Sequence, residues 1–215
     1  MSKRFYLTCL RDNVGSNTAF HCVNGKGYTT NLAKAHVYTK QEAQDAWDRG
    51  REFDLPLNAS MVNELSIRKV DCQYIPIETV IDPNGDDYLA YKKGKWDGND
   101  VYWLGSYGQF STNIKKANLF SVEQAIKGPE SLVFIPRYQA IKASRLTFAS
   151  SLINKRKMTQ GSGLITPNHI KRNWRLVENP KSRWNCPSCG RITWQDNPHD
   201  FDGCRNINCS NWSMY

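Results

Sequence analysis

The chain has 215 residues, 40% hydrophobic and 12% aromatic, with a net charge of +9. That is enough apolar material for a packed core and too much for a disordered protein. No apolar run reaches membrane-spanning length, and the start, MSKRFYLTCLRDN, lacks an apolar signal segment, so a reducing intracellular compartment and no membrane partner are expected.

In chain order, FYLTCL and AFHCVN flank the turn-rich RDNVGSNT and predict a hairpin. A tight turn at TTNLAKA and a brief extended piece at Val37-Tyr38 follow. Thr39 to Glu42, TKQE, places a hydroxyl three residues ahead of a carboxylate, the signature of a capping box that opens a helix. A closing strand is expected at YIPIETVI, 74–81. The stretch DPNGDD, 82–87, reads as a charged turn, because it lacks the alternation and terminal Glu of a calcium loop.

The series then repeats. A shift of 82 residues lays 6–43 on 88–125 without a gap, with identities at Tyr6/Tyr88, Leu7/Leu89, Asn17/Asn99, Thr30/Thr112, Asn31/Asn113, Lys34/Lys116, Ala35/Ala117 and Ala43/Ala125. The second copy has a hairpin at YLAYKK and VYWLGSY, a capping box at SVEQ (121–124) and a closing strand at FIPRYQAI (134–141). Ala43 to Pro76 spans 33 residues and Ala125 to Pro136 only 11, so the first copy is expected to hold a 22-residue insertion, mostly 52–69. Each unit reads as ββ(β)αβ, a helix on a small, mainly antiparallel sheet, too small to stand alone. The expected fold is α+β: repeat modules at 1–82 and 83–141, a basic connector at 142–183, and a zinc ribbon at 184–215. The pattern of two strands, a [ST]-x-[ND]-[IL]-x-x-A-x-x-[FY]-[ST] stretch and a helix, over residues 5 to 141, resembles a module of small phage-encoded proteins. That resemblance implies a phage or prophage origin, hence the cytoplasm of a bacterial host, and assigns no activity.

Between Lys142 and Arg183 ten Lys/Arg face one acid, Glu178, so this segment carries the whole net charge. Ile141, Arg145, Phe148, Leu152 and Lys155 recur at helical spacing and predict a helix ending in Lys155-Arg156-Lys157. After the flexible TQGSG, Thr166-Pro167 is a cap-plus-first-turn signal for a short helix bearing His169, Lys171, Arg172, Trp174 and Arg175. A solvated linker would mix in Asp and Glu. Lys142, Arg145, Lys155, Arg156, Lys157, Lys171, Arg172, Trp174, Arg175, Lys181 and Arg183 are therefore the expected contacts for a polyanion, either DNA or RNA or an acidic protein face.

Four of the seven cysteines follow C-x2-C-x14-C-x4-C. Two close pairs of thiolates suit a tetrahedral structural zinc ion held by Cys186, Cys189, Cys204 and Cys209. His199 is a possible substitute ligand. Cys9, Cys22 and Cys72 read as core thiols, with a second site of Cys9, His21, Cys22 and His36 left open. After CPSC, the run CRNINCS (204–210) resembles the zinc finger of the Ogr/Delta family of phage transcription activators over about 25 residues. That resemblance implies the same four ligands and contact with DNA or RNA polymerase; the loop between the pairs is shorter here and the family's downstream tail is absent.

No Walker-type phosphate loop, G-x-S-x-G elbow or H-E-x-x-H occurs, and no catalytic constellation is evident. The expected function is non-enzymatic binding of nucleic acid or of a host nucleic-acid-processing complex. The alternative is a protein inhibitor of a host or defence enzyme, such as a restriction, CRISPR or polymerase component.

Overall fold

The N-terminal hairpin forms β1 (Arg4–Val14) and β2 (Asn17–His21), and short β3 (Tyr28–Thr29) continues the sheet beyond β2. Next, β4 (Tyr38–Thr39) pairs with the first residues of β1 and leads into α1 (Lys40–Arg49). Thr39 and Glu42 close the expected capping box, and α1 buries Ala43 and Trp47. On the other edge of β1 lies β5 (Asp54–Asn58). Pro56 is tolerated there because β5 pairs with β1 alone and can spare an N–H. The module closes with α2 (Ala59–Leu65) and β6 (Ile67–Val70). A computed structural model describes residues 3–82, 85, 87–172 and 181–213 of the chain.

The second module repeats the order: β7 (Tyr88–Asp97), β8 (Asp100–Leu104), β9 (Phe110–Ser111), α3 (Val122–Ile126), β10 (Leu132–Pro136), α4 (Arg137–Ala143) and β11 (Ser144–Thr147). Ser121 and Gln124 again form a capping box.

Four expectations change. The closing strand expected at 134–141 is Leu132–Pro136, and from Arg137 onward the chain is helix α4. The counterpart of β10 is β5, so 52–69 is not an insertion but the first module's own closing strand, helix and final strand. The shared Ile-Pro pairs at 75–76 and 135–136 misled the alignment; 74–81 instead runs beside β10, where Val80 N donates to Phe134 O at 3.0 Å. The helix expected from Ile141 through Lys157 is broken: only 137–143 and Lys155–Met158 (α5) are α-helical, and Ser144–Thr147 is a strand. Finally, the hairpins match one residue out of the 82 shift, so fully buried Phe20 corresponds to fully buried Trp103 rather than Tyr102.

The modules are joined by exchange. Strand β6 pairs antiparallel with β11, Ile67 opposite Thr147 and Val70 opposite Ser144. Val70, from the first module, is wholly buried among Tyr91, Val101 and Trp103 of the second. Phe148, just after β11, is wholly buried in the first module, 6.3 Å from the Phe20 ring. Each exchanged side chain contributes about 1.5–3 kcal/mol of burial that its own module cannot supply. The two hairpin turns also meet, with Gly15 (φ +58°) against Gly98 (φ +63°). Two backbone bonds are reciprocal: Ser150 N donates to Ser16 O (2.9 Å) and Cys72 N to Asn99 O (2.8 Å).

A polar network sits where the turns meet. Asn17 and Asp100 occupy matching places at the start of β2 and β8, and Asn17 Nδ2 donates to Asp100 Oδ2 at 2.6 Å. Arg145 Nη2 lies 2.7 Å from Asp100 Oδ1, with Asp71 at 3.9 Å. Lys69, 1% exposed, lies 3.1 Å from Asp97 and 3.5 Å from Asp100 and donates to Ser16 Oγ at 2.9 Å. Asp97 also accepts from Ser16 N and Oγ. Burial raises the Asp97 carboxyl pKa, but the Ser16 bonds and Lys69 outweigh it and hold the group below its usual range. Such pairs add little net stability yet are costly to break.

The compact units of the chain are Met1–Thr166 and Pro167–Tyr215. The expected connector 142–183 is thus divided, its first part being folded into the two-module unit. In the second unit a helical turn at 168–172 precedes the hairpin of β12 (Ser182–Asn185) and β13 (Ile192–Gln195).

Candidate metal centre

The β12–β13 turn carries Cys186 and Cys189. Gly190, at φ +69°, curls the chain so that its N donates to Cys186 O at 2.8 Å, and Cys186 N donates to Arg191 O at 2.9 Å. In the second knuckle Cys204 N donates to Asn211 O (2.6 Å) and Ser213 N to Cys204 O (3.0 Å). Cys204 Sγ accepts from Asn206 N (3.4 Å), and Cys209 Sγ from Asn211 N (3.5 Å). Amides aimed at sulfur favour thiolate over thiol.

The sulfurs converge. Cys186 and Cys209 lie 3.5 Å apart, Cys189 and Cys204 3.6 Å, and all four within 4.8 Å of one another. Tetrahedral ligation with bonds of about 2.3 Å places sulfurs roughly 3.8 Å apart, so the donor set fits a metal ion. Cys186 and Cys204 are buried, Cys189 is exposed, and all four are free thiols. Without a cation the four cannot ionise together. The Arg191 amide brings Cys189 down to about 6. For Cys209 the Asn211 amide favours the thiolate, but desolvation and the neighbouring sulfurs push it up to about 12.

Among the described residues this is the one group of three or more metal-type side chains close enough to share an ion. His199 is not in it, and Cys9, His21, Cys22 and His36 do not assemble into a second. Cys9 Sγ instead donates to Asp12 at 3.0 Å, and His21 Nε2 lies 3.3 Å from Asp54.

The hairpin's register adds a face that sequence reading missed. Arg183 stands opposite Trp194, and Asn185 opposite Ile192. All four are exposed, while Thr193 and Gln195 point inward and Trp184 leans on Phe201 with ring centroids 6.2 Å apart. Arg205 and Trp194 line the same small cavity of about 120 Å³ with Lys181, which lies 3.7 Å from Asp196. Across 181–213 the cations Lys181, Arg183, Arg191 and Arg205 face Asp196, Asp200 and Asp202. A divalent ion held by four thiolates adds two negative charges, so the ribbon is not the source of the chain's basicity.

That source is the earlier stretch. Lys142 is exposed on α4, Lys155, Arg156 and Lys157 form one exposed turn of α5, and Lys171 and Arg172 are exposed at 168–172. Arg145 is not part of this surface: its side chain is 10% exposed and turned onto Asp100. Trp174 and Arg175 lie outside the described residues.

Fold and site define an α+β protein in which two strand-exchanged sheet-and-helix modules precede a four-cysteine cluster able to hold a metal ion. No family model matches the chain, and no curated protein or solved structure matches it.

Proposed function

We propose that this is a non-enzymatic, phage-type protein that binds DNA or RNA in the bacterial cytoplasm, with zinc as the ion of the cysteine cluster. One observation supports the binding most directly: from Lys142 to Val177 there is no acidic residue, and every described cation there except Arg145 is exposed. Such segregated positive charge attracts phosphate and releases its counterions on contact. The soft four-sulfur donor set favours zinc, whose role there is structural because four protein ligands leave no open position. Arg183 beside Trp194 pairs a cation with an aromatic plane, which suits phosphate contact with base stacking.

The test is fluorescence anisotropy with single- and double-stranded DNA and RNA oligonucleotides across a salt series. The expected outcome is affinity falling steeply with salt, with a smaller slope in Lys155→Glu/Arg156→Glu/Lys157→Glu. No binding of any oligonucleotide at low salt refutes the reading.

A second reading, a protein inhibitor docking on a host nucleic-acid-processing or defence complex, draws on the ribbon. Ile207 is 74% exposed, and Trp194 and Trp212 are also open on a nearly neutral surface, the composition of a protein contact. Affinity capture from nuclease-treated host lysate separates the two: an unbridged protein partner with no oligonucleotide binding selects the inhibitor.

A further inference from the structure

The two modules place equivalent residues around equivalent surfaces, and on one side those surfaces have diverged. A groove of about 410 Å³ on the second module has an aliphatic floor of Leu89, Ile114, Leu119 and Ile141. Its rim carries Arg68, Lys115 and Arg137, and no acidic side chain lines it. Arg68 reaches the groove because β6 packs against the 3-10 turn Ile114–Lys116, just as β11 packs against Leu32–Lys34 of the first module. The repeat therefore gives the counterpart of every rim position. Lys115 corresponds to Ala33, Arg137 to Ala59 at the first position of α2, and Arg68 to Leu146, its register partner across the β6–β11 pair. The floor stays aliphatic at two of its four counterparts, Leu32 and Val37; Leu89 and Ile141 stand where the first module has Tyr6 and Asn63, whose side chains hydrogen-bond to each other at 3.2 Å.

The modules thus share a scaffold, but only the second pairs an apolar floor with three cations. None of the three is needed by the fold, since the first module manages with Ala, Ala and Leu. Arg137 lies 3.2 Å from Asp87 with both about half exposed, Arg68 donates to Ser144 Oγ at 3.1 Å, and Lys115 makes no ion pair among the described residues. Leu119 and Ile141, 52% and 49% exposed, leave the floor open.

We infer that this groove docks an acidic protein segment, an aliphatic side chain seated on Leu89, Ile114, Leu119 and Ile141 with flanking carboxylates on Arg68, Lys115 and Arg137. Charge complementarity identifies the occupant's sign, and the floor identifies its apolar anchor. Nucleic acid fits worse, because no aromatic side chain lines the groove to stack a base. The volume lies within the range of side-chain and small-ligand pockets.

The experiment uses the full chain. Random short peptides in a displayed library are selected on it, and the enriched ones are synthesised and measured by anisotropy. They are compared on the native protein and on Arg68→Leu/Lys115→Ala/Arg137→Ala, which installs the first module's own residues. The expected peptides combine an aliphatic residue with neighbouring Asp or Glu and bind the triple variant about tenfold more weakly. Lys115→Ala alone, in an exposed turn, gives a smaller loss in the same direction, which covers a triple variant that fails to fold. Absent enrichment, enrichment of neutral or basic peptides, equal binding to the variants, or displacement of the peptide by a single-stranded oligonucleotide overturns the inference. Oligonucleotide affinity of the triple variant is measured in parallel. It stays unchanged if the groove and the basic segment are separate, so failure of one reading leaves the other standing.

Discussion

Gly98 is where the joining of the modules is most open to a single substitution. Its φ is +63°, and a Cβ built on it would lie 2.6 Å from Gly15 N and 2.7 Å from Val14 C, both backbone atoms of the facing turn. Gly98→Ala therefore carries two costs. Left-handed backbone costs an L-residue about 1–2 kcal/mol, and displacing a packed turn adds about 1–3 kcal/mol. The expected loss is roughly 2–5 kcal/mol, a large share of the stability of a single domain. Gly108→Ala is the control: φ is +74°, but nothing lies within 4 Å of the added Cβ, so only the backbone cost of about 1–2 kcal/mol applies. Urea unfolding followed by tryptophan fluorescence reads both, since Trp47 and Trp103, one in each module, are wholly buried. Equal losses in the two variants would refute the packing of turn on turn.

Tyr107 has φ +58° and is fully exposed, so Tyr107→Asn, which tolerates that backbone region, should raise the urea midpoint by the equivalent of about 0.5–1 kcal/mol. Asn17→Asp sets a carboxylate against Asp100 and should cost about 2–4 kcal/mol at neutral pH, with much of the loss recovered as the pH is lowered towards about 4; unchanged stability at both pH values would exclude the contact. Asp97 has a depressed pKa, so its contribution is present above the unfolded value of about 3.9 and is lost as pH falls through the lower folded value. Urea midpoints of Asp97→Asn should lie below those of the native protein at neutral pH and converge with them in acid. Elemental analysis should find about one zinc per chain, falling towards zero in Cys204→Ser, with tryptophan NMR signals of the ribbon collapsing while those of Trp47 and Trp103 persist.

What could be read from sequence was what is decided locally. The capping boxes at Thr39 and Ser121 depend on residues three apart, and the thiol cluster depends on fixed spacings that close two tight turns. What escaped was decided across the chain. Ile141, Arg145, Phe148 and Leu152 match a helical period, yet the segment breaks at Ser144 because β6 offers a pairing edge and the first module a place for Phe148. Arg145 looked like one more surface cation; only the meeting of β8 and β11 shows the buried Asp100 that claims it. The pairing of Arg183 with Trp194 required the register of a hairpin whose strands are four residues each, too short for alternation to reveal a face.

The exchange also explains how duplicated modules could become unlike without separating. In a symmetric dimer of identical modules, the residue opening β2 would face its own copy, and two carboxylates there would repel. Within one chain the two places are encoded separately: one is Asn17, the other Asp100, and the amide donates to the carboxylate. The unmatched charge on Asp100 is then answered from both final strands, by Lys69 of β6 and Arg145 of β11. Because β6 and β11 are also the strands exchanged between modules, the network ties charge balance to the same joint that buries Val70 and Phe148. With that joint fixed, outer surfaces are free to diverge. The basic rim at Arg68, Lys115 and Arg137 is where they have done so, on a scaffold that the first module shows to be stable without it.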